Sequence, residues 1–138
     1  MKAVNNSINE INKKLFKGIF FGILTGSLII TILMMLSSII ILQTGSLPGD
    51  ILSYVVLVFI GIGSLLGGYI AGRIYKKNGL IIGAVTGVIS FLILFLSGIS
   101  NISEGVGIMT ILKLVVTIIP SMLGAILGVN KKEKVKFK

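Results

Sequence analysis

Few side chains in this sequence could do chemistry. The four carboxylates are Glu10, Asp50, Glu104 and Glu133, and none of them lies inside a long apolar run. Cysteine and histidine are absent, which removes thiol chemistry, disulfides and the usual ligands of a metal site. No nucleophile stands beside a base. We therefore expect a protein that is not an enzyme and that uses no cofactor or metal.

Lys113 is the one charged residue well inside an apolar segment. Its long stem can carry the ammonium group to the outer membrane interface, which costs less than leaving the charge in hydrocarbon. We favour that interpretation. The alternative is that Lys113 faces other helices, where it would pair with Asp50 or Glu104 or receive an anion.

The composition indicates that these residues are positioned by membrane-spanning helices. The chain has 138 residues, is 54% hydrophobic and only 12% charged, whereas soluble domains are about a quarter charged. One domain of this size, residues 1–138, could not bury so much apolar surface. Four stretches reach the roughly 20 residues that a spanning helix needs: 18–42, 51–72, 79–99 and 107–129. The sequence predicts an all-α integral membrane protein with four transmembrane helices, the first too long for a cleaved signal peptide.

The basic residues predict the orientation of these spans. Twelve of the thirteen fall before the first span, between the second and third, or after the fourth. Lysine and arginine are retained on the cytoplasmic side, so both termini and the middle loop should be cytoplasmic. This placement also accounts for the net charge of +9 without nucleic acid. It disfavours the small exporters and fluoride channels that assemble as antiparallel dimers, because those have a weak charge bias.

The two ends of the chain should contact the membrane surface. Residues 1–17 carry apolar residues at helical spacing, with Ser7 and Glu10 as a capping box, and predict an amphipathic helix on the inner surface. The polybasic tail, residues 130–138, should lie on anionic headgroups. The apolar positions of the first segment are Val4, Ile8, Ile11 and Leu15. The predicted surface anchors are Arg73, Tyr75, Lys131, Lys132 and Lys134.

An internal repeat organises the four spans. Residues 17–33 match residues 78–94 at an offset of 61, sharing a GxxxGxxTG pattern. In the second and fourth spans, Ser64–Gly67 matches Ser121–Gly124 at an offset of 57. Both copies of this hairpin would begin in the cytoplasm, so the sequence predicts two parallel repeats rather than inverted ones.

Glycines recur every fourth residue on one face of each span. In lipid, small residues let helix backbones approach and gain dispersion contacts, so we expect these glycines to pack helices tightly in the cytoplasmic half. The alternative is that they line a pore or a substrate cleft. A nucleotide-binding interpretation fails because the required strand–loop–helix context is missing. The predicted packing residues are Gly18, Gly22, Gly26, Gly63, Gly67, Gly68, Gly72, Gly79, Gly83, Gly87, Gly124 and Gly128.

Pro120 lies near the middle of the fourth span. It removes a hydrogen bond to the carbonyl of Val116 and should kink the helix. At the offset of 57, Pro120 corresponds to Gly63, so the second and fourth spans would share a weak point. We favour an ordinary kink, and a paired hinge is the alternative.

The stretch GSLLGGYIAGRIYKKNGLIIGAVTGVI, residues 63–89, resembles the YrzE-like family of small four-helix membrane proteins from low-GC Gram-positive bacteria. That resemblance implies the fold and a bacterial plasma membrane location, and it brings no catalytic or binding residues. The leading hypothesis is a structural or regulatory protein that associates with itself or with another membrane protein. The alternative is a small transporter or channel subunit, although the chain lacks the intramembrane carboxylate of the small multidrug exporters that it resembles in size.

Overall fold

The computed structural model describes residues 1–46, 48–98 and 107–136, with only the backbone described from residue 131 onward. These residues form four α-helices: α1 (Lys2–Thr44), α2 (Gly49–Tyr75), α3 (Gly79–Gly98) and α4 (Ile108–Lys136). Each contains a stretch with a mean hydropathy of 2.1 to 2.6 and is long enough to cross a membrane. The chain is therefore the predicted all-α, multi-pass membrane protein. Ile99, the predicted end of the third span, lies outside the described residues.

The helix α1 is far longer than the predicted first span. Its 43 residues cover about 64 Å at 1.5 Å per residue, roughly twice the thickness of a bilayer core. The predicted lead-in belongs to the same unbroken helix, which contains no proline between Lys2 and Thr44. The predicted capping box is wrong: the hydroxyl of Ser7 donates to the carbonyl of Ala3 at 2.9 Å, inside the helix.

The helix α2 begins without a side-chain cap. The cap position is Pro48, which makes no side-chain hydrogen bond, and Asp50 lies in the first helical turn. A carboxylate there still stabilises the helix, because it faces the positive end of the helix dipole.

The loop between α2 and α3 is shorter than predicted. The helix continues through Arg73 to Tyr75, and the backbone N–H of Lys76 donates to the carbonyl of Gly72 at 2.9 Å. Lys76 adopts a left-handed conformation with φ of 65°, and Asn78 has φ of 41°. A left-handed residue closes a helix in this way, so the connection turns within three residues and holds α2 and α3 antiparallel.

The four helices form two antiparallel hairpins. Helix α1 packs on α2, and α3 packs on α4, while the most extensive contact joins α2 to α4, which run parallel. Among the described residues α1 and α3 touch only slightly, and α1 does not reach α4. Both termini and the α2–α3 loop therefore lie at one end of the bundle, which we call the basic end.

The packing is tight in the half of the bundle nearest the basic end. A cluster of one buried residue from each helix, Ile19, Ala71, Ile82 and Ala125, forms its centre. In α1 beyond Gly26 and in α3 beyond Gly87, no described residue is buried, and in the half away from the basic end α2 buries Leu57 and Ile60. This half is more loosely packed, as the positions of the glycines predict.

Candidate functional site

The helices α1 and α2 meet through their glycines. A Cβ atom added to Gly22 would lie 2.7 Å from the carbonyl oxygen of Gly67, and one added to Gly67 would lie 2.7 Å from that of Gly22. Real Cβ atoms do not approach oxygens so closely. One turn away on α1, an added Cβ on Gly26 would lie 3.0 Å from the carbonyl oxygen of Gly63. The two backbones are therefore in direct contact.

The parallel pair α2 and α4 is closer still. Gly68 and Gly72 of α2 lie against α4, and Gly124 and Gly128 of α4 lie against α2. The backbone atoms that they face belong to Ser121, Ala125, Leu65 and Tyr69. Each helix thus presents glycines to the carbonyl groups of the other, so no side chain separates the helices here.

The third contact joins α3 to α4 and uses glycine on one side only. An added Cβ on Gly83 would lie 2.6 Å from the Cα of Met122, and one on Gly87 would lie 2.9 Å from the Cα of Ile118. Gly79 lies against Ala125. The structure thus places all twelve of the predicted packing glycines at buried positions between helices.

The contacts correct the register of the repeat. Gly18, Gly22 and Gly26 of α1 face α2, and the matching glycines of α3 face α4 at the predicted offset of 61. The facing residues are Ala71, Gly67 and Gly63 in the first hairpin, and Ala125, Ser121 and Thr117 in the second. Their offset is 54 residues, three fewer than the sequence match gives, which is nearly one helical turn. Ser64 and Ser121, aligned at 57, face different neighbours: α4 and α3, respectively.

Pro120 leaves one carbonyl of α4 without its helical hydrogen bond, and a side chain of α2 lies beside that carbonyl. Since proline has no N–H, the carbonyl of Val116 loses its helical donor. The buried hydroxyl of Ser64 donates to its own helix at Gly61 (3.0 Å) and lies 3.4 Å from the carbonyl oxygen of Val116. Gly61 permits this approach, because a Cβ there would lie 3.3 Å from the side chain of Val116. The helix α2 thus covers the carbonyl of Val116, which Pro120 leaves without a helical donor.

In the corrected register, Pro120 does not correspond to Gly63, so this prediction from the offset of 57 is wrong. Gly63 packs against Ile30 and Gly26 of α1, whereas Pro120 corresponds to Leu66 at the offset of 54. The two residues therefore occupy different environments, and α4 continues as a helix through Pro120. Pro120 and Gly63 therefore do not form a paired hinge.

A cavity of about 230 Å³ lies between the four helices, in the more loosely packed half. Its lining is mainly apolar and includes glycines of α1 and α2. The polar lining residues are all hydroxyls: Ser27, Thr31, Ser64, Ser90, Ser97 and Thr117. These hydroxyls were not predicted to share a site, although pairs such as Ser27 and Thr31 recur at helical spacing.

The hydroxyls of this cavity offer hydrogen-bond acceptors. Thr31 donates to the carbonyl of Ser27 at 2.9 Å, Ser64 donates to that of Gly61, and Thr117 donates to that of Lys113. With these protons engaged by the backbone, the hydroxyl oxygens keep free lone pairs. Among the described residues, no charged side chain lines the cavity. It therefore suits water, a neutral hydrogen-bond donor or a small cation better than an anion.

The remaining predicted residues lie away from the cavity. The side chain of Lys113 is exposed, and Arg73 is exposed near the end of α2, while Tyr75 is half-buried and packs on the core cluster. The side chains of Lys131, Lys132 and Lys134 lie outside the described residues, as does Glu104. Within the described ranges, no group of three or more carboxylates could hold a metal ion.

Comparison with known proteins gives a family without a known activity. A family model described as "Protein of unknown function (DUF3792)" matches residues 12–128, which cover α2 and α3 and most of α1 and α4. No curated protein and no solved structure matches the chain.

Proposed function

Because the chain belongs to the DUF3792 family, whose function is unknown, we propose its function from its own geometry. It is a non-enzymatic membrane protein that acts through helix–helix contacts, as a structural or regulatory component. The observation that carries this proposal is the interior of the bundle. Its contacts join backbone to backbone, and its buried polar side chains, Ser64, Thr86, Thr117 and Ser121, donate to backbone carbonyls. Such an interior favours a fixed scaffold over a reacting site.

The proposal includes a location and an orientation. The concentration of lysine and arginine at the basic end supports a cytoplasmic placement of both termini and of the α2–α3 loop. The resemblance to the YrzE-like family supports the plasma membrane of a low-GC Gram-positive bacterium. Anionic headgroups would then contact the polybasic tail.

The surface for association has to lie outside the glycine contacts. All twelve packing glycines are buried within one copy of the chain, so they are not available to a second copy. A partner would meet either the lipid-facing sides of the helices or the part of α1 beyond the bundle. Association through those surfaces leaves the internal packing intact.

A small transporter or channel subunit, acting as a uniporter or an oligomeric pore, is the second candidate. The hydroxyl-lined cavity favours it, since the acceptors could replace part of the hydration shell of a cation or bind a neutral solute. The cavity lies in the more loosely packed half, where helix movements would disturb the fewest contacts.

Flux through proteoliposomes separates the two candidates. We expect the purified protein to pass K⁺, Na⁺, ammonium and glycerol no faster than liposomes without protein. If one of them does pass, Ser90→Leu, which fills the cavity from α3, should abolish the flux, and Val88→Leu, on the exposed side of the same helix, should preserve it. That pair of results would replace the leading proposal with the second candidate.

A further inference from the structure

The helix α1 extends beyond the end of the helix that covers it. Gly18 lies against Ala71 and Ile74 of α2, and α2 ends at Tyr75. Toward its N-terminus, α1 continues for about 16 Å between Leu15 and Val4. The side chains of Val4, Ile8 and Ile11 there are 61%, 49% and 41% exposed. We call these three residues the α1 seam.

The α1 seam continues an established interface. Its positions 4, 8 and 11 are followed by 15, 18 and 22, so that the spacing alternates between four and three residues, as in a coiled coil. Leu15 packs on the core cluster, and Gly18 and Gly22 contact α2. The same face of α1 is therefore covered by a helix in the bundle and uncovered beyond it.

The surroundings of the α1 seam are basic. Lys13, Lys14 and Lys17 are exposed on α1 near its base, and Arg73, Lys76 and Lys77 are exposed where α2 ends. Glu10 is the one carboxylate of α1. By helical spacing Lys14 flanks the seam, three residues from Ile11, and the cations at the end of α2 lie at its base. A helix lying on the seam would thus have basic neighbours, which attract acidic side chains.

We propose that the α1 seam is a docking site for an amphipathic helix with acidic flanks, supplied by a partner protein at the basic end. This inference rests on the proposed function and specifies its partner. The apolar face of the incoming helix covers Val4, Ile8 and Ile11, and its carboxylates face Lys14 and the cations where α2 ends. It occupies the line that α2 would follow if α2 were longer.

Two other occupants fit the geometry less well. In a second copy of the chain, the same face of α1 is covered by its own α2 in the bundle, so two α1 seams cannot meet without displacing an α2. The bilayer surface would need the N-terminal part of α1 to bend, and α1 has no break between Lys2 and Thr44. The segment that carries the seam therefore continues along the axis of the span and extends away from the bilayer.

Peptide binding to the full chain in nanodiscs of zwitterionic lipid tests the proposal. The probe is a designed helix of two heptads with leucine at the core positions and glutamate at the flanking ones, and its matched control has lysine instead of glutamate. We expect saturable binding of the acidic peptide, at least about tenfold tighter than that of the basic one. Ile8→Ser should weaken the binding by about tenfold or more, while Asn9→Ser, beside the seam, should leave it unchanged.

Three outcomes would overturn the proposal. One is no binding of the acidic peptide, and another is equal binding to the Ile8→Ser variant. The third is a fluorophore at Ile8→Cys that moves to an apolar environment when anionic lipid is added and stays there in the presence of peptide, which would assign the seam to the bilayer. Failure of the proposed function shows separately, as cavity-dependent flux in the proteoliposome assay.

Discussion

Replacing Gly124 with alanine is expected to destabilise the folded bundle by about 2 kcal/mol or more, because it overpacks a contact that cannot yield. The added methyl group would meet the backbone carbonyl of Leu65 and, at 3.0 Å, the backbone nitrogen of Tyr69. Both atoms belong to a helix backbone, which shifts only as a unit. The higher helix propensity of alanine, about 1 kcal/mol, offsets part of the loss.

Unfolding of the purified protein in mixed micelles, followed by circular dichroism, measures this change. Gly49→Ala is the control, since a methyl group there meets no atom within 4 Å. The interpretation of α2 and α4 as a backbone contact would be wrong if the two variants unfolded alike.

Replacing Ser121 with leucine should have a comparable or larger effect, about 3 kcal/mol, for a different geometric reason. Ser121 is 1% exposed, and it lies between Gly68 of α2 and Gly83 of α3. Its hydroxyl donates to the carbonyl of Gly83 at 2.8 Å. A leucine side chain has no space in this position, so α4 would have to separate from one of its neighbours.

Ser121→Ala isolates the hydrogen bond from the packing. That variant loses the bond between α4 and α3 and keeps the close approach, so we expect a cost of about 0.6 kcal/mol, the average for such bonds between membrane helices. The same unfolding measurement serves for both variants. A similar loss in both would mean that hydrogen bonding, and not the small volume of Ser121, holds the helices together.

The spacing of the glycines was sufficient to predict which helix faces are buried. Every fourth residue lies on one face, and in lipid a face of small residues has few roles other than close contact. The spacing could not assign partners, however. Gly67 and Gly68 are neighbours in sequence, yet Gly67 faces α1 and Gly68 faces α4, and only the arrangement of all four helices separates them.

The register of the second hairpin shows why a short match can mislead. The match of Ser64–Gly67 with Ser121–Gly124 rests on residue type, while the contacts depend on volume. Serine at 121 and threonine at 117 are small enough to occupy the positions of Gly67 and Gly63. Since small residues are interchangeable at helix contacts, identity alone did not fix the register.

The cavity could not be predicted because it results from a contact that is weak. Helices α1 and α3 touch only slightly, and this leaves space beside Ser27, Ser90 and Thr117. Each hydroxyl alone looks like an ordinary residue bonded to its own helix. For the N-terminal segment, the amphipathic pattern could be predicted from the sequence, but the direction of the segment could not. It continues straight from the rest of α1 because the helix has no break between them.

Disulfide formation in membranes tests whether two parallel hairpins of one chain meet along α2 and α4. The native chain has no cysteine, so only the introduced cysteines can form a disulfide. Gly61→Cys with Val116→Cys joins positions where a Cβ lies 3.3 Å from the facing Cγ1, within reach of a disulfide. Gly61→Cys with Val115→Cys, an exposed neighbour, is the control. A protease site inserted between Lys76 and Asn78 separates the hairpins after oxidation.

For the first pair, we expect the two fragments to stay joined without reductant and to separate with it, while the control pair should yield separate fragments in both cases. Equal joining in both pairs, no joining in the first, or disulfides only between different copies would contradict the arrangement of α2 beside α4.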